Sequence, residues 1–186
     1  MKKINLITCN EHKMKEYKIL LEPEFKVNVI RIDYPELRSD NVAEIAALAA
    51  KQIAGKLKKV VVLEDAGFFI RALKGFPGTS TAYIFKRIGN KGILQLMKGV
   101  KDRKCWYRVA VAYCEPRKEP KIFVGEDEGR VSLKEKGKSG WGCDPIFIPK
   151  GKNKTYGELK GKEDVDMFRK KAVSKLAQFL RKNESL

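Results

Sequence analysis

Histidine occurs once in this 186-residue chain, at His12, and the cysteines Cys9, Cys105, Cys114 and Cys143 form no Cys-x-x-Cys pair. These shortages remove the usual zinc spacings and leave His12 as the one base for any Ser-His-Asp or Cys-His chemistry. No serine sits in a Gly-x-Ser-x-Gly elbow, and neither the Gly-x-x-x-x-Gly-Lys-[Ser/Thr] phosphate loop nor the Gly-x-Gly-x-x-Gly dinucleotide loop occurs. No apolar run approaches the roughly 18–20 residues that cross a bilayer. The N-terminus lacks the long apolar stretch and small-residue cleavage site of a signal peptide. A cytoplasmic location is the expectation, and there the four cysteines read as ordinary thiols. His12 reads as an exposed residue in a first helical turn.

What is present is charge and a core. Lysine and arginine total 40 against 23 acidic residues, a formal charge of +17, which attracts polyanions such as nucleic acid or nucleoside triphosphates. The basic residues are spread along the chain rather than gathered in one arm, so charge alone does not choose between them. Hydrophobic residues make up 43% of the chain, enough to exclude a disordered tail and to support a single domain over residues 1–186.

Periodicity predicts strands mixed with helices. Ile4 to Thr8 reads as a buried strand, followed by a polar turn and a helix to about Leu21 with Met14, Tyr17, Leu20 and Leu21 on one face. Lys26 to Ile32 alternates as a second strand. Asn41 and Glu44 form a capping box for a helix to Leu57. Val60 to Leu63 is a β-branched run typical of a strand covered on both faces, expected to end at Glu64 and Asp65. Gly75 to Gly78 reads as a turn, Asn90 to Met97 as a short helix, Trp106 to Cys114 and Lys121 to about Ser132 as strands, and Val165 to Arg181 as a final helix. Four glycines and two prolines between Gly137 and Gly151 mark a loop around Trp141 and Asp144 as a functional candidate. The fold class is α/β with mixed α+β character, built on a long central sheet.

Candidate chemistry falls on carboxylates, lysines and loops. Glu64 and Asp65 follow a buried strand, where ligand sites of α/β proteins cluster, and a hard cation such as Mg²⁺ accepts such carboxylates together with substrate phosphates. Thr8 and Asn10 lie where the N–H groups of a helix start receive an anion, with Lys13 one turn in. Each feature alone also has a bland reading, a loop cap or a solvated lysine.

Together they resemble one family. Thr8-Cys9-Asn10-Glu11-His12-Lys13-Met14-Lys15-Glu16 resembles the Thr-x-Asn-x-x-Lys-x-x-Glu opening of the inosine triphosphate pyrophosphatase (Ham1-like) family. Pro35-Glu36, Glu64-Asp65-Ala66-Gly67, Phe76-Pro77-Gly78, Gly140-Trp141-Gly142-Cys143-Asp144-Pro145-Ile146-Phe147 and Thr155-Tyr156-Gly157-Glu158 are similar to its later motifs, in family order from residue 8 to about 172. The resemblance implies a long bent mixed sheet flanked by helices, in two lobes with a central cleft. It also implies a homodimer that hydrolyses ITP, dITP and XTP to the monophosphate and pyrophosphate with Mg²⁺. By the same carry-over Thr8, Asn10 and Lys13 hold the triphosphate and Lys51 lies near the phosphates. Glu36 and Asp65 bind the metal with Glu64 beside them, and Asp65 orients or deprotonates the attacking water. Trp141 stacks on the base, Asp144 contacts its polar edge, and Lys162 and Arg169 complete the substrate site.

Three positions depart from the family pattern. Ala66 replaces a serine after the aspartate, Met167-Phe168 replaces a Ser-His pair before Arg169, and Glu163 stands where a lysine is usual, beside Lys162. The family uses that last segment to recognise the 6-oxo purine edge. A pyrophosphatase with shifted preference, for pyrimidine or modified nucleotides, is therefore the near alternative. A basic nucleic-acid-binding protein without hydrolase activity is the distant one.

Overall fold

Alternating and β-branched apolar stretches become strands here, and 3.6-periodic stretches become the helices that cover them. The computed structural model describes residues 2–22, 24–35, 37–159, 161 and 166–183. Among the described residues the order is β1 (Lys2–Ile7), α1 (Glu11–Leu21), β2 (Phe25–Ile30), α2 (Val42–Leu57), β3 (Val61–Ile70), β4 (Pro77–Gly78), α3 (Thr81–Leu96), β5 (Lys104–Cys114), β6 (Lys121–Val131), β7 (Phe147–Pro149), α4 (Tyr156–Leu159) and α5 (Met167–Lys182). One mixed sheet runs in the order β2-β1-β3-β5-β6-β7, with β4 paired to β3. β1 lies parallel to β2, from Lys2↔Phe25 to Ile7↔Ile30, and parallel to β3 at Leu6↔Val62 and Ile7↔Leu63. A parallel pair cannot close through a tight turn, and α1 is the crossover that joins β1 to β2.

These elements form two compact units. The first comprises Met1–Asp65, Val109–Gly125 and Val165–Leu186; the second comprises Ala66–Arg108 and Glu126–Asp164. Leu6, Ile7, Tyr17, Leu21, Leu63 and Leu176 are fully buried in the first. In that unit α1 packs against α5 and β2, and α5 meets β6 at Gly125. A Cβ on Gly125 would stand 1.9 Å from the Phe168 carbonyl oxygen and 2.9 Å from the Ala172 nitrogen. The second unit is centred on aromatic rings: Phe68 and Tyr107 have centroids 4.9 Å apart, Tyr107 and Phe147 5.0 Å, and Phe147 and Tyr156 4.9 Å. Tilted and edge-on contacts of this kind add to the area that such rings bury.

Several expectations need correction. β3 does not stop at Glu64-Asp65 but continues to Ile70. What ends at Leu63 is its pairing with β1, and pairing with β4 begins at Phe68↔Gly78. The acids therefore sit mid-strand, where the parallel partner runs out. The short helix expected from Asn90 is the second half of α3, which begins at Thr81 and is broken at Gly89 (φ 59°, ψ −169°). Its first half, Thr-Ala-Tyr-Ile-Phe-Lys-Arg-Ile, buries only Thr81 and so carries no helical apolar stripe to read. The last helix was expected from Val165, which lies outside the described residues. Within it Phe168 is core, whereas Met167 is 45% exposed. Among the described residues no helix is long and apolar enough to cross a membrane.

Candidate active site

The first unit brings the N-terminal motif to β3. Asn10 caps α1: its Oδ1 accepts from the N–H of His12 at 2.9 Å and of Lys13 at 3.2 Å, and its own N–H donates to the Thr8 hydroxyl at 3.1 Å. An asparagine in extended conformation (φ −87°, ψ 113°) is well suited to this, because its short amide reaches donors that the helix cannot satisfy. Thr8 and Asn10 thus shape the turn from which Lys13 projects. Lys13 Nζ donates to the Glu64 carbonyl at 3.4 Å and stands 3.3 Å from Glu64 Oε1.

Glu64 is held from the other side by Arg169. The guanidinium Nε lies 3.1 and 3.0 Å from the two Glu64 oxygens, and Nη2 lies 3.0 Å from Oε1. Arg169 Nη1 also donates to Asp166 Oδ2 at 2.8 Å and to Glu16. Glu16 in turn accepts from the Asp166 backbone N–H at 2.8 Å, so it satisfies a donor at the start of α5. Burial opposes ionisation of Glu64, but the Arg169 guanidinium and Lys13 ammonium outweigh it and hold the carboxyl below its usual range. Burial likewise opposes the charge of Arg169, and the surrounding carboxylates raise its pKa well above the ordinary value. Tyr17 lies beside this cluster; burial, then the Glu64 charge, push its phenol well up, so it stays neutral.

Several expected site residues have protein partners of their own. Arg169 is 4% exposed and is an internal strut of the first unit. Glu64, assigned to the metal by resemblance, spends both oxygens on cationic side chains. Asp65, the next residue of β3, is also buried. Lys51 pairs with Glu119 at 2.5 Å, both side chains being exposed, and among the described residues it is not joined to the Lys13–Glu64–Arg169 network. Glu36 and Lys162 lie outside the described residues.

His12 corrects the sequence reading outright. It was expected to be solvated, yet its side chain is 27% exposed, with Nε2 3.3 Å from Glu16 Oε1 and 3.9 Å from Asp166 Oδ2. His12 and Glu16 are four residues apart on α1, a spacing that places them on one face. That was the available signal. Asp166, 154 positions further along, had none.

The second unit holds the Trp141 loop. Asp144 is buried, with Oδ2 accepting from the Trp141 N–H at 2.7 Å and Oδ1 from the Tyr107 hydroxyl at 3.2 Å. Asn90 Nδ2 donates to the Gly142 carbonyl at 3.0 Å. Gly140, at φ +80°, leaves the space that Asp144 needs, since a Cβ there would lie 2.2 Å from its Oδ2. Asp144 therefore anchors the loop, while the Trp141 ring is 47% exposed and 6.4 Å from the Phe85 ring. The sequence flagged Trp141 and Asp144 but gave no sign of Tyr107 or Asn90. Cys9, Cys105, Cys114 and Cys143 are separate thiols, and burial pushes the pKa values of Cys105 and Cys143 up and out of the reactive range.

The chain matches the model of the Ham1 family over residues 4–179. It is 43% identical to a dITP/XTP pyrophosphatase of Methanopyrus kandleri, and 40% identical to a dITP/XTP pyrophosphatase of Methanothermobacter marburgensis, each covering 97% of both chains. The structure of the Staphylococcus aureus Ham1 protein is similar, with a TM-score of 0.85 and 25% identity, covering 98% of this chain and 100% of that one.

Proposed function

The chain belongs to the Ham1 family, and on that premise we propose that it hydrolyses non-standard purine nucleoside triphosphates (ITP, dITP and XTP) to the monophosphate and pyrophosphate. The observation that carries this reading is Lys13, projecting from an Asn10-capped helix start onto the carboxylate-bearing segment Glu64-Asp65 of β3. The names of the relatives that match over nearly the whole chain support the substrate class.

Glu36, Glu64 and Asp65 offer only carboxylate oxygens, a donor set that suits a hard cation rather than a soft one. Since Glu64 already serves two cationic side chains, we assign Mg²⁺ to Asp65 and Glu36, with Glu64 fixing the segment beside them. When bound, Mg²⁺ supplies neutralisation of phosphate-oxygen charge, the main demand of phosphoryl transfer. Lys13 adds a point charge on a phosphate oxygen, and the N–H groups at the start of α1 favour an anion there. Asp65 orients the water and takes its proton. The water oxygen bonds to the α-phosphorus, the bond from that phosphorus to the bridging oxygen breaks, and the oxygen leaves with pyrophosphate. Lys51 reaches a phosphate only by leaving Glu119, a small cost for an exposed pair, about 0–1 kcal/mol. Trp141 stacks on the base, and Lys162 keeps its assignment to the substrate. Arg169 and Asp144 act through other residues rather than on the substrate.

We also infer a cytoplasmic homodimer with one catalytic domain over residues 1–186. The exposed first-turn Met167 favours one second reading, a shifted base preference, because a thioether cannot replace the hydrogen bonds of a Ser-His pair. Mg²⁺-dependent pyrophosphate release across ITP, dITP, XTP, GTP, ATP, UTP and dTTP tests both. Preference for the first three is the expected result. Preference for UTP or dTTP overturns the base assignment, and no release from any of them overturns the activity.

A further inference from the structure

His12 is left over when the reaction is assigned, yet it sits on the network that holds Lys13. Among the described residues, the charged groups facing it are Glu16 on its own helix and Asp166 at the start of α5; Arg169 and Glu64 lie one contact further, and Lys13 closes the far side. Among the described residues, this network sets three carboxylates (Glu16, Glu64 and Asp166) against two fixed cations (Lys13 and Arg169), one negative charge in excess. A proton on the imidazole balances it. The N-terminal end of α1 opposes a cation in its first turn, but that effect is weak and screened, whereas the two carboxylates are buried and within 3.3 and 3.9 Å.

We propose that His12 is a positioning residue whose imidazolium ties the first turn of α1 to the start of α5 through Glu16 and Asp166, and so holds Asn10 and Lys13 in register for the triphosphate. The structural tie stands on the geometry alone; its effect on the substrate rests on the function proposed above. His12, Glu16 and Asp166 bring their ligand atoms within 4.8 Å of one another, a spacing compatible with a metal ion. Arg169 already donates to both carboxylates, however, so the hole between them suits a proton better than a second dication.

The carboxylates of Asp166 and Glu16 beside the imidazole raise the His12 pKa from 6.5 to about 9, against an opposing effect of burial. A folded-state pKa above the unfolded one means that the tie contributes fully below about pH 6.5 and is lost as pH rises through about 9. KM for the triphosphate should therefore rise at alkaline pH with a smaller change in kcat, about threefold or more in KM, as expected for lost ground-state positioning.

Because His12 is the sole histidine, one imidazole resonance in the NMR spectrum of the intact protein reports the titration without any mutation. The expected midpoint is about 9, falling toward the unperturbed value in Glu16→Gln and in Asp166→Asn. A wild-type midpoint near 6.5 overturns the proposal whatever the activity. So does a one-to-one Zn²⁺-induced shift of that resonance near neutral pH. In kinetics, His12→Gln should show a raised KM that no longer varies between about pH 7.5 and 10, and His12→Lys should restore a low KM near neutral pH. A wild-type-like alkaline rise of KM in His12→Gln overturns the role in positioning. A high midpoint in a protein that releases no pyrophosphate sinks the proposed activity and leaves the tie standing.

Discussion

Replacing Arg169 by methionine keeps most of the side-chain volume and removes the guanidinium that contacts Glu16, Glu64 and Asp166 together. All three carboxylates are buried, so the loss leaves them facing one another with Lys13 and His12 as the remaining cations of the network. Breaking a buried pair in this way costs about 3–5 kcal/mol, because the stranded charges cannot recover their hydration. For a chain of this length each kcal/mol moves the melting midpoint by about 2–4 °C, so Arg169→Met should melt about 6–20 °C below wild type near neutral pH. The pH dependence has a definite sign. In the wild type the Glu64 pKa is lowered, so its contribution is present above the unfolded carboxylate range and is lost as pH falls. In the variant the stranded carboxylates prefer to be protonated, so stability is lost as pH rises through that range. The gap between the two proteins should thus widen from about pH 5 to about pH 8. Thermal and urea melts of both proteins at those two values measure it. A difference below about 1 kcal/mol, or one that does not change with pH, refutes the buried-strut account and returns Arg169 to the surface of the substrate site.

The other expectations concern catalysis. Asp65→Asn should reduce turnover by about 10²–10⁴-fold while the protein stays folded, since in the proposed reaction it removes both a metal oxygen and the proton acceptor; steady-state pyrophosphate release checks it. Lys13→Ala should act mainly on triphosphate affinity, raising KM more than it lowers kcat, and a lowered kcat at unchanged KM would contradict the assignment. Trp141→Ala should weaken binding by about 1–3 kcal/mol, roughly 5- to 150-fold, in a titration with a non-hydrolysable triphosphate analogue.

The local grammar of the chain predicted β1, α2 and the Trp141 loop well, because each depends on near neighbours. Asn41, for example, accepts from the Ala43 N–H at 2.9 Å, as a capping residue should. Glu64 and Asp65 were misjudged as a strand end for the opposite reason. Two acids inside a β-branched run look like a terminator unless a cation is known to be there, and the partner is Arg169, 105 positions away from Glu64. The same distance hid His12, whose imidazole looks solvated until Asp166 is placed beside it. The first half of α3 was missed because its apolar residues mostly face outward and Gly89 interrupts the helix. Motif order thus identified the family, while the electrostatics around Glu64 and His12 needed the third dimension.

Gly125 links these matters to the engineering of the chain. Bare backbone meets bare backbone where β6 passes under the first turns of α5, and the bound is set by a carbonyl oxygen that cannot be moved without moving the helix. Even an alanine at that position would act as a wedge under the residue next to Arg169, lifting the guanidinium from its three anionic partners without touching any of them. Tolerance to substitution should therefore be low at a site that carries no side chain and no charge.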